Sequence, residues 1–324
     1  MNYYLSFLSS LVIMLLTTPL LTKLAHKLDY TEKPNADSDR KIHKESKAYL
    51  AAVGIFFSFW LCYFIFTGHT GKRSLIIFAG SFLIWGIGMV DDWYKIKGGD
   101  LKALPKMVIQ LLACVGTVYF SNIRFLGITN PFNDSYILFP FWFQFLLSVL
   151  WLFGVTTVIN FSDGLDGLAG GISCISAGTL FIVAIAKGNP TLGIMSITLV
   201  GVCLGYLRYN KYPAKILMGD AGATFLGFML AIISLEGAFK QATVVSIFIP
   251  ILALGLPIFD NIFVVIKRLR EGRQIYVGDA SQIHYRLIEK GLSQKQTVYV
   301  LYLVCICLNL SAIILLLLGV VQGL

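Results

Sequence analysis

The chain has 324 residues, of which 57% are hydrophobic and only 13% charged. A soluble domain of this length is about half apolar and about a quarter charged, so the imbalance identifies lipid as the solvent and excludes a water-soluble globular fold. The net charge of +9 does not argue for nucleic acid, because basic residues of a membrane protein gather in cytoplasmic loops and set its topology.

A helix needs about 20 mostly apolar residues to cross the hydrocarbon core. In chain order the candidates are 4–24, 48–66, 74–90, 105–120, 141–160, 167–186, 191–207, 221–238, 244–266 and 297–321. The first lacks a basic leader and a small-residue cleavage site, so it reads as a retained helix. No polar stretch much exceeds thirty residues. The chain therefore reads as one integral membrane domain, 1–324, an all-α protein of ten transmembrane helices. Cys62, Cys114, Cys174, Cys203, Cys305 and Cys307 all lie in apolar runs without metal-ligand spacing, and read as small core- or lipid-facing residues.

Ten crossings put both termini on one side and split the loops into two sets. One set (23–47, 91–106, 161–166, 208–220 and 267–296) holds 21 of the 26 Lys and Arg residues. The other holds Lys72, Arg73, Arg124, Lys187 and Lys240. The positive-inside rule makes the first set cytoplasmic and both termini external. The ninth crossing reads IPILALGLPIFDN, with Pro250, Gly255 and Pro257 removing or loosening backbone hydrogen bonds. It is expected to be a broken helix, with Asp260 just beyond the break; an ordinary proline kink is the simpler alternative.

Carboxylates beside a membrane are costly and point to function. Asp91 and Asp92 follow the third apolar run in GMVDDWYKIKG. Two adjacent carboxylates repel each other as a simple helix end but suit a hard cation or a proton acceptor. Asp163 and Asp166 lie in INFSDGLDGLAGG, where a helical turn would put them on one face with Asn160. Turn formation by the glycines, with Asp166 as a helix cap, is the alternative. Asp220 lies in ILMGDAGATFLG at the start of the eighth helix, where an N-cap is the plain alternative. Asp260 and Asp279 complete the set, all on or near one face. Lys95, Lys106, Arg208, Lys211, Lys215, Arg268, Arg270, Arg273 and Arg286 lie in the same loops. Carboxylates facing such cations suit a polyanion with a divalent metal, the layout of phosphoryl transfer. His26, His43, His69 and His284 have no zinc-type spacing, and no Walker loop, GxGxxG fingerprint or nucleophile elbow occurs.

These motifs resemble the polyprenyl-phosphate N-acetylhexosamine-1-phosphate transferase family over nearly the whole chain. The resemblance is carried by RKIH at 40–43, DDWYKI at 91–96, PKMVIQ at 105–110, NFSDGLDGLAGG at 160–171, RYN…ILMGDAG at 208–222 and PIFDN…DASQIHYRL at 257–287. It implies attack of a membrane polyprenyl phosphate on the β-phosphate of a UDP-N-acetylhexosamine, releasing UMP and starting a cell-envelope glycan such as teichoic acid. It implies Mg²⁺, or Mn²⁺ in its place, at Asp220. Asp91 and Asp92 would engage the lipid phosphate, with Asp91 as proton acceptor. Asn160, Asp163, Asp166 and Asn210 would belong to the nucleotide and pyrophosphate site. Lys95, Lys106, Arg273 and His284 would contact phosphate or sugar. Asp91, Asp92, Asp163, Asp166 and His284 form the expected catalytic set.

The SQKQTVYVLY segment and the absence of TPTMGG resemble the GlcNAc-1-phosphate branch, working on undecaprenyl phosphate at a cytoplasmic-face site in the plasma membrane. A transferase for another UDP-N-acetylhexosamine, the MurNAc-pentapeptide type included, and a secondary transporter are the alternatives. A transporter would place its charges near the bilayer centre. A catalytically weakened homologue is a further one. Relatives of this kind often form homodimers. The chain departs from the family where Gln282, Ile283, His284 and Tyr285 replace a His-x-His-His cluster, and where Ala48, Ala51 and Ala52 replace a proline and two glycines.

Overall fold

The structure is a computed structural model that describes residues 2–32, 46–68, 70–99, 101–130, 135–238, 242–273 and 281–321. The RKIH segment at 40–43, His69, Gly278 and Asp279 lie outside the described residues. The helices in chain order are α1 (Tyr3–Lys27), α2 (Ala51–Thr67), α3 (Lys72–Ile96), α4 (Ala103–Ser121), α5 (Phe141–Phe161), α6 (Leu168–Ala186), α7 (Pro190–Asn210), α8 (Gly219–Ala238), α9 (Val244–Ala253), α10 (Gly255–Arg270), α11 (Ile283–Glu289) and α12 (Gln294–Val321).

The all-α membrane architecture stands. Among the described residues, eight helices (α1, α3 to α8 and α12) are long and apolar enough to cross a bilayer. The α9–α10 pair qualifies only as one span bent by 79°, and α2 has 17 residues, at the short limit for a crossing. Length and composition thus support eight spans, or nine with the bent pair; the expected ten is reached only by adding α2.

The break in the ninth span has a local cause. Pro257 has no N–H to give the carbonyl four residues earlier, at Ala253. Ser176 Oγ donates to that carbonyl at 2.6 Å and Asn309 Nδ2 at 3.2 Å. Neighbouring helices thereby satisfy the backbone group that lipid cannot.

Helix α3 continues past its apolar run to Ile96, so Asp91 and Asp92 lie inside the helix rather than after it. Five short strands among the described residues were not anticipated: β1 (Thr31–Glu32), β2 (Lys47–Ala48), β3 (Gly127–Thr129), β4 (Tyr136–Leu138) and β5 (Ala242–Thr243). Strands β1 and β2 pair antiparallel, and β3 lies between antiparallel β4 and parallel β5.

Helix α8 is the centre of the bundle, with 89% of its apolar window buried against 22% for α1. Without a hydrophobic drive in lipid, close backbone approach has to hold the spans together. Gly88 of α3 provides it, since a Cβ there would overlap the backbone of Ala221 on α8. At one end of the bundle Tyr30 Oη donates to Met89 O at 3.3 Å, and Leu217 N to Ala48 O at 2.8 Å. These contacts draw the ends of α1 and α3 and the starts of α2 and α8 together. The acidic motifs meet there.

Candidate active site

Asp91 and Asp92 are successive residues on α3, so their side chains diverge by about 100°. Asp92 turns into the bundle, is fully buried, and accepts the backbone N–H groups of Asp220 (2.9 Å) and Ala221 (3.1 Å). It caps α8 from another helix, satisfying two of the four donors a helix start leaves open and setting its charge at the positive end of the dipole. Gly219 has φ +61°, and a side chain there would strike Asp92 and Tyr49. Glycine is what lets α8 begin against Asp92.

The cap places Asp220 beside Asp91. Lys95 Nζ lies 3.0 Å from Asp91 and 2.8 Å from Asp220. Lys106 Nζ lies 2.8 Å from Asp91 and also contacts Asp220. Asn160 Nδ2 reaches Asp220 at 3.5 Å. One oxygen from each of Asp91, Asp92 and Asp220 falls within 4.8 Å of the others.

An all-oxygen set of this kind suits a hard dication. Two ammonium groups bridge Asp91 and Asp220, so the space between those carboxylates already holds positive charge. Both Asp92 oxygens are committed to backbone N–H groups, which leaves Asp91 and Asp220 as the donors that fit a metal.

The second group is the turn joining α5 to α6. Asp163 and Asp166 are not on a helical face: residues 162–167 form successive turns, and the Asp163 N–H bonds Asn160 O at 3.2 Å. Asp166 does not cap α6, which begins at Leu168 with Gly167 at its N-cap and no side-chain cap. Instead its buried carboxylate takes Lys47 Nζ on both oxygens at 2.8 Å and the Ala214 N–H at 2.9 Å. Burial pushes the Lys47 ammonium below its ordinary value, an effect opposed by Asp166. Burial, with Asp166 nearby, raises the Asp163 carboxyl to about 7. Asn210, expected to bind substrate, is buried and spans two backbone segments: its Oδ1 accepts the Gly167 N–H at 2.9 Å and its Nδ2 donates to Ile216 O at 2.8 Å. Tyr302 Oη donates to Gly167 O at 2.5 Å.

The two groups form one site. Lys95 is near enough to Asp163 to oppose its upward shift. Burial holds the Tyr49 phenol well above its ordinary range, and Asp92, Glu32, Asp163 and Asp91 add to that shift. Lys47 and Tyr49 went unnoticed in the sequence. The one signal was a lysine and a tyrosine directly ahead of an apolar helix.

His284 lies on α11, is 1% exposed, and its ring is tilted by 47° to that of Tyr285 at 4.2 Å between centroids. Its Nε2 is buried without a hydrogen-bond partner, and a Cβ on Gly164 would collide with the ring. The imidazole therefore reaches the Asp163–Asp166 turn. Burial, then the charge of Arg286, lowers its pKa to about 4, so it acts as a neutral group near pH 7. Arg273 follows α10, is exposed and pairs with Glu271. All six cysteines are free thiols.

A family model described as glycosyl transferase family 4 matches residues 74–238. A probable undecaprenyl-phosphate N-acetylglucosaminyl 1-phosphate transferase of Bacillus subtilis (strain 168) is 36% identical over 316 residues, covering 96% of this chain and 84% of that protein. The phospho-N-acetylmuramoyl-pentapeptide-transferase of Chlamydia muridarum is 30% identical, over 95% of this chain and 96% of that one. The protein of the same description from Prochlorococcus marinus is 29% identical, over 95% of this chain and 89% of its own length.

Proposed function

The chain belongs to glycosyl transferase family 4, and from that membership and the geometry of its site we propose that it transfers GlcNAc-1-phosphate from UDP-GlcNAc to undecaprenyl phosphate. The products are undecaprenyl-diphospho-GlcNAc and UMP, the first lipid-linked step of a cell-envelope glycan. The observation that carries this reading is the clasp of Lys95 and Lys106 over Asp91 and Asp220 at the bundle end. The higher identity to the Bacillus subtilis protein, 36% against 30%, favours GlcNAc over the MurNAc-pentapeptide donor.

Phosphoryl transfer leaves the protein little covalent chemistry and asks mainly for positioning and charge stabilisation. Asp92 and Gly219 fix the start of α8, which places Asp220. Lys95 and Lys106 supply the positive charge that phosphate oxygens require as the bond to UMP breaks. Asp91 faces the same space and serves as acceptor for a proton of the lipid phosphate. Lys47 and Asn210 hold the turn bearing Asp163 and Asp166 against the segment 214–216, making the wall that receives the nucleotide. His284 closes that wall as a neutral donor or acceptor toward the sugar pyrophosphate. Mg²⁺, or Mn²⁺, held at Asp220 would neutralise and orient the pyrophosphate.

The basic-residue asymmetry supports ten crossings, external termini and a cytoplasmic site. The test is transfer of label from UDP-[¹⁴C]GlcNAc into organic-extractable lipid by the purified protein, with and without Mg²⁺. Label retained in the aqueous phase under both conditions would overturn the reading. Transfer from UDP-MurNAc-pentapeptide alone would move the protein to the other branch.

A further inference from the structure

Asp260 takes no part in the chemistry above, yet its carboxylate is heavily engaged. Its two oxygens accept the Ile283 backbone N–H at 2.9 and 3.1 Å, and Oδ1 also accepts Arg286 Nη2 at 3.0 Å. Ile283 is the first residue of α11, so a carboxylate on α10 caps α11 from outside. Arg286 makes a second attachment, its guanidinium lying 4.1 Å from the Phe263 ring centroid, one turn further along α10.

Helix α11 has seven residues and no side-chain cap from its own N-cap residue. A helix that short does not hold its shape or place by itself. What it carries is His284, whose Nε2 is buried and unpartnered against Gly164, and Gln282 at its N-cap, whose Oε1 is likewise buried and unpartnered. Buried polar atoms are nearly always hydrogen-bonded, so the unpartnered imidazole nitrogen of His284, set against the Asp163–Asp166 turn, marks a place completed by a ligand.

We infer that Asp260 is a positioning residue: by fastening α11 to the bent span, it holds the His284 imidazole against the Asp163–Asp166 turn, where it receives the sugar-pyrophosphate donor. This rests on the proposed transfer reaction for the identity of the donor. The fastening itself does not depend on it. Asp260 touches no substrate and acts through α11 alone. A shift of about 1 Å in a group that contacts the reacting substrate costs up to roughly a hundredfold in rate.

The experiment is a cycle of Asp260→Ala, His284→Ala and the double variant in the full-length protein. Transfer is read as kcat/KM for UDP-GlcNAc and, separately, as KM for undecaprenyl phosphate. Asp260→Ala is expected to lower donor kcat/KM roughly 10- to 100-fold and leave the acceptor KM unchanged. Residues acting as one unit are strongly non-additive, so the double variant should be about as active as His284→Ala alone. Loss of general packing would multiply the two effects and raise both KM values, which overturns the proposal.

A second readout needs no turnover. Diethylpyrocarbonate modification at pH 6.5, located by mass spectrometry, should spare His284 in the parent and modify it roughly tenfold faster in Asp260→Ala, because the helix opens locally. Continued protection of His284 in that variant refutes the fastening, whatever the reaction proves to be. Failure of the parent to transfer label, with the labelling result as expected, would refute the function and leave the fastening intact. Asp260→Asn keeps an oxygen for the Ile283 N–H but loses the charge facing Arg286. Should Asp260→Ala not survive purification, Asp260→Asn carries the same cycle with smaller losses.

Discussion

Lys47→Met is the sharpest probe of the site's construction. Lys47 Nζ sits 2.8 Å from both oxygens of Asp166, and the two side chains are 9% and 1% exposed. Methionine matches the length of the lysine stem but removes the ammonium that meets this buried carboxylate. Removing one partner of a buried pair costs about 3–5 kcal/mol, because the desolvated charge stays behind. Asp166→Asn removes the other charge and keeps an acceptor for the Ala214 N–H, now at 2.9 Å. In the double variant neither charge is left facing the other's absence, so part of the loss should return. The coupling between the two positions is expected to be about 2–3 kcal/mol, the upper part of the range for residues in direct contact. The assay is a reversible SDS titration of each protein in mixed micelles, followed by tryptophan fluorescence. Strictly additive losses in the double variant would show that Lys47 and Asp166 do not stabilise one another, and would refute the account of how the α5–α6 turn is held.

Asp220→Ala should reduce transfer by about a thousandfold or more while leaving the unfolding transition near that of the parent, since a metal ligand at a pyrophosphate is worth several kcal/mol in the transition state; isothermal titration with Mn²⁺ should show binding weakened in the same variant. His284→Ala should lower donor kcat/KM roughly 10- to 1000-fold, the scale of one transition-state hydrogen bond. With its pKa near 4, His284 should add no inflection to the parent's pH–rate profile between pH 5 and 8, and an inflection abolished by His284→Ala would contradict the buried, neutral imidazole. Asp163 has a folded pKa of about 7 against 3.8 for a free aspartate carboxyl, so the folded state holds a proton that the unfolded chain releases. Stability should therefore fall as pH rises from about 4 to about 7, and Asp163→Asn should flatten that slope in SDS titrations run across the range. Reporter fusions at Asn130 and Lys187 should register outside, and fusions at Lys97 and Gly278 inside; an inside signal at Lys187 would break the pairing of α6 with α7.

The broad layout was legible because it depends on local composition. Runs of about twenty apolar residues, proline within IPILALGLP and a bias of lysine and arginine toward alternate loops are properties of consecutive residues, and each survives folding unchanged. The short strands were not legible, since strands of two or three residues carry no periodicity to read. The third helix was cut short at Val90 because the apolar run ends there. The backbone continues to Ile96 because Asp92, turned into the bundle, finds the start of α8 and Asp91 finds two lysines.

By itself the amino-acid sequence determined the solvent, the order of the spans, the break ahead of Pro257 and the acidic motifs that gather at one end. It could not assign the carboxylates and amides their separate tasks. Asp91 and Asp92 are chemically identical neighbours, yet one faces the lysine clasp and the other is spent on two backbone N–H groups of α8. Asn210, an evident substrate ligand by motif, ties Gly167 to Ile216. Lys47 meets Asp166, and Asp260 meets Ile283, across long stretches of chain. Those choices belong to the tertiary structure, because inside a bundle most buried polar groups take the nearest partner that packing offers, and no local pattern says which partner that will be.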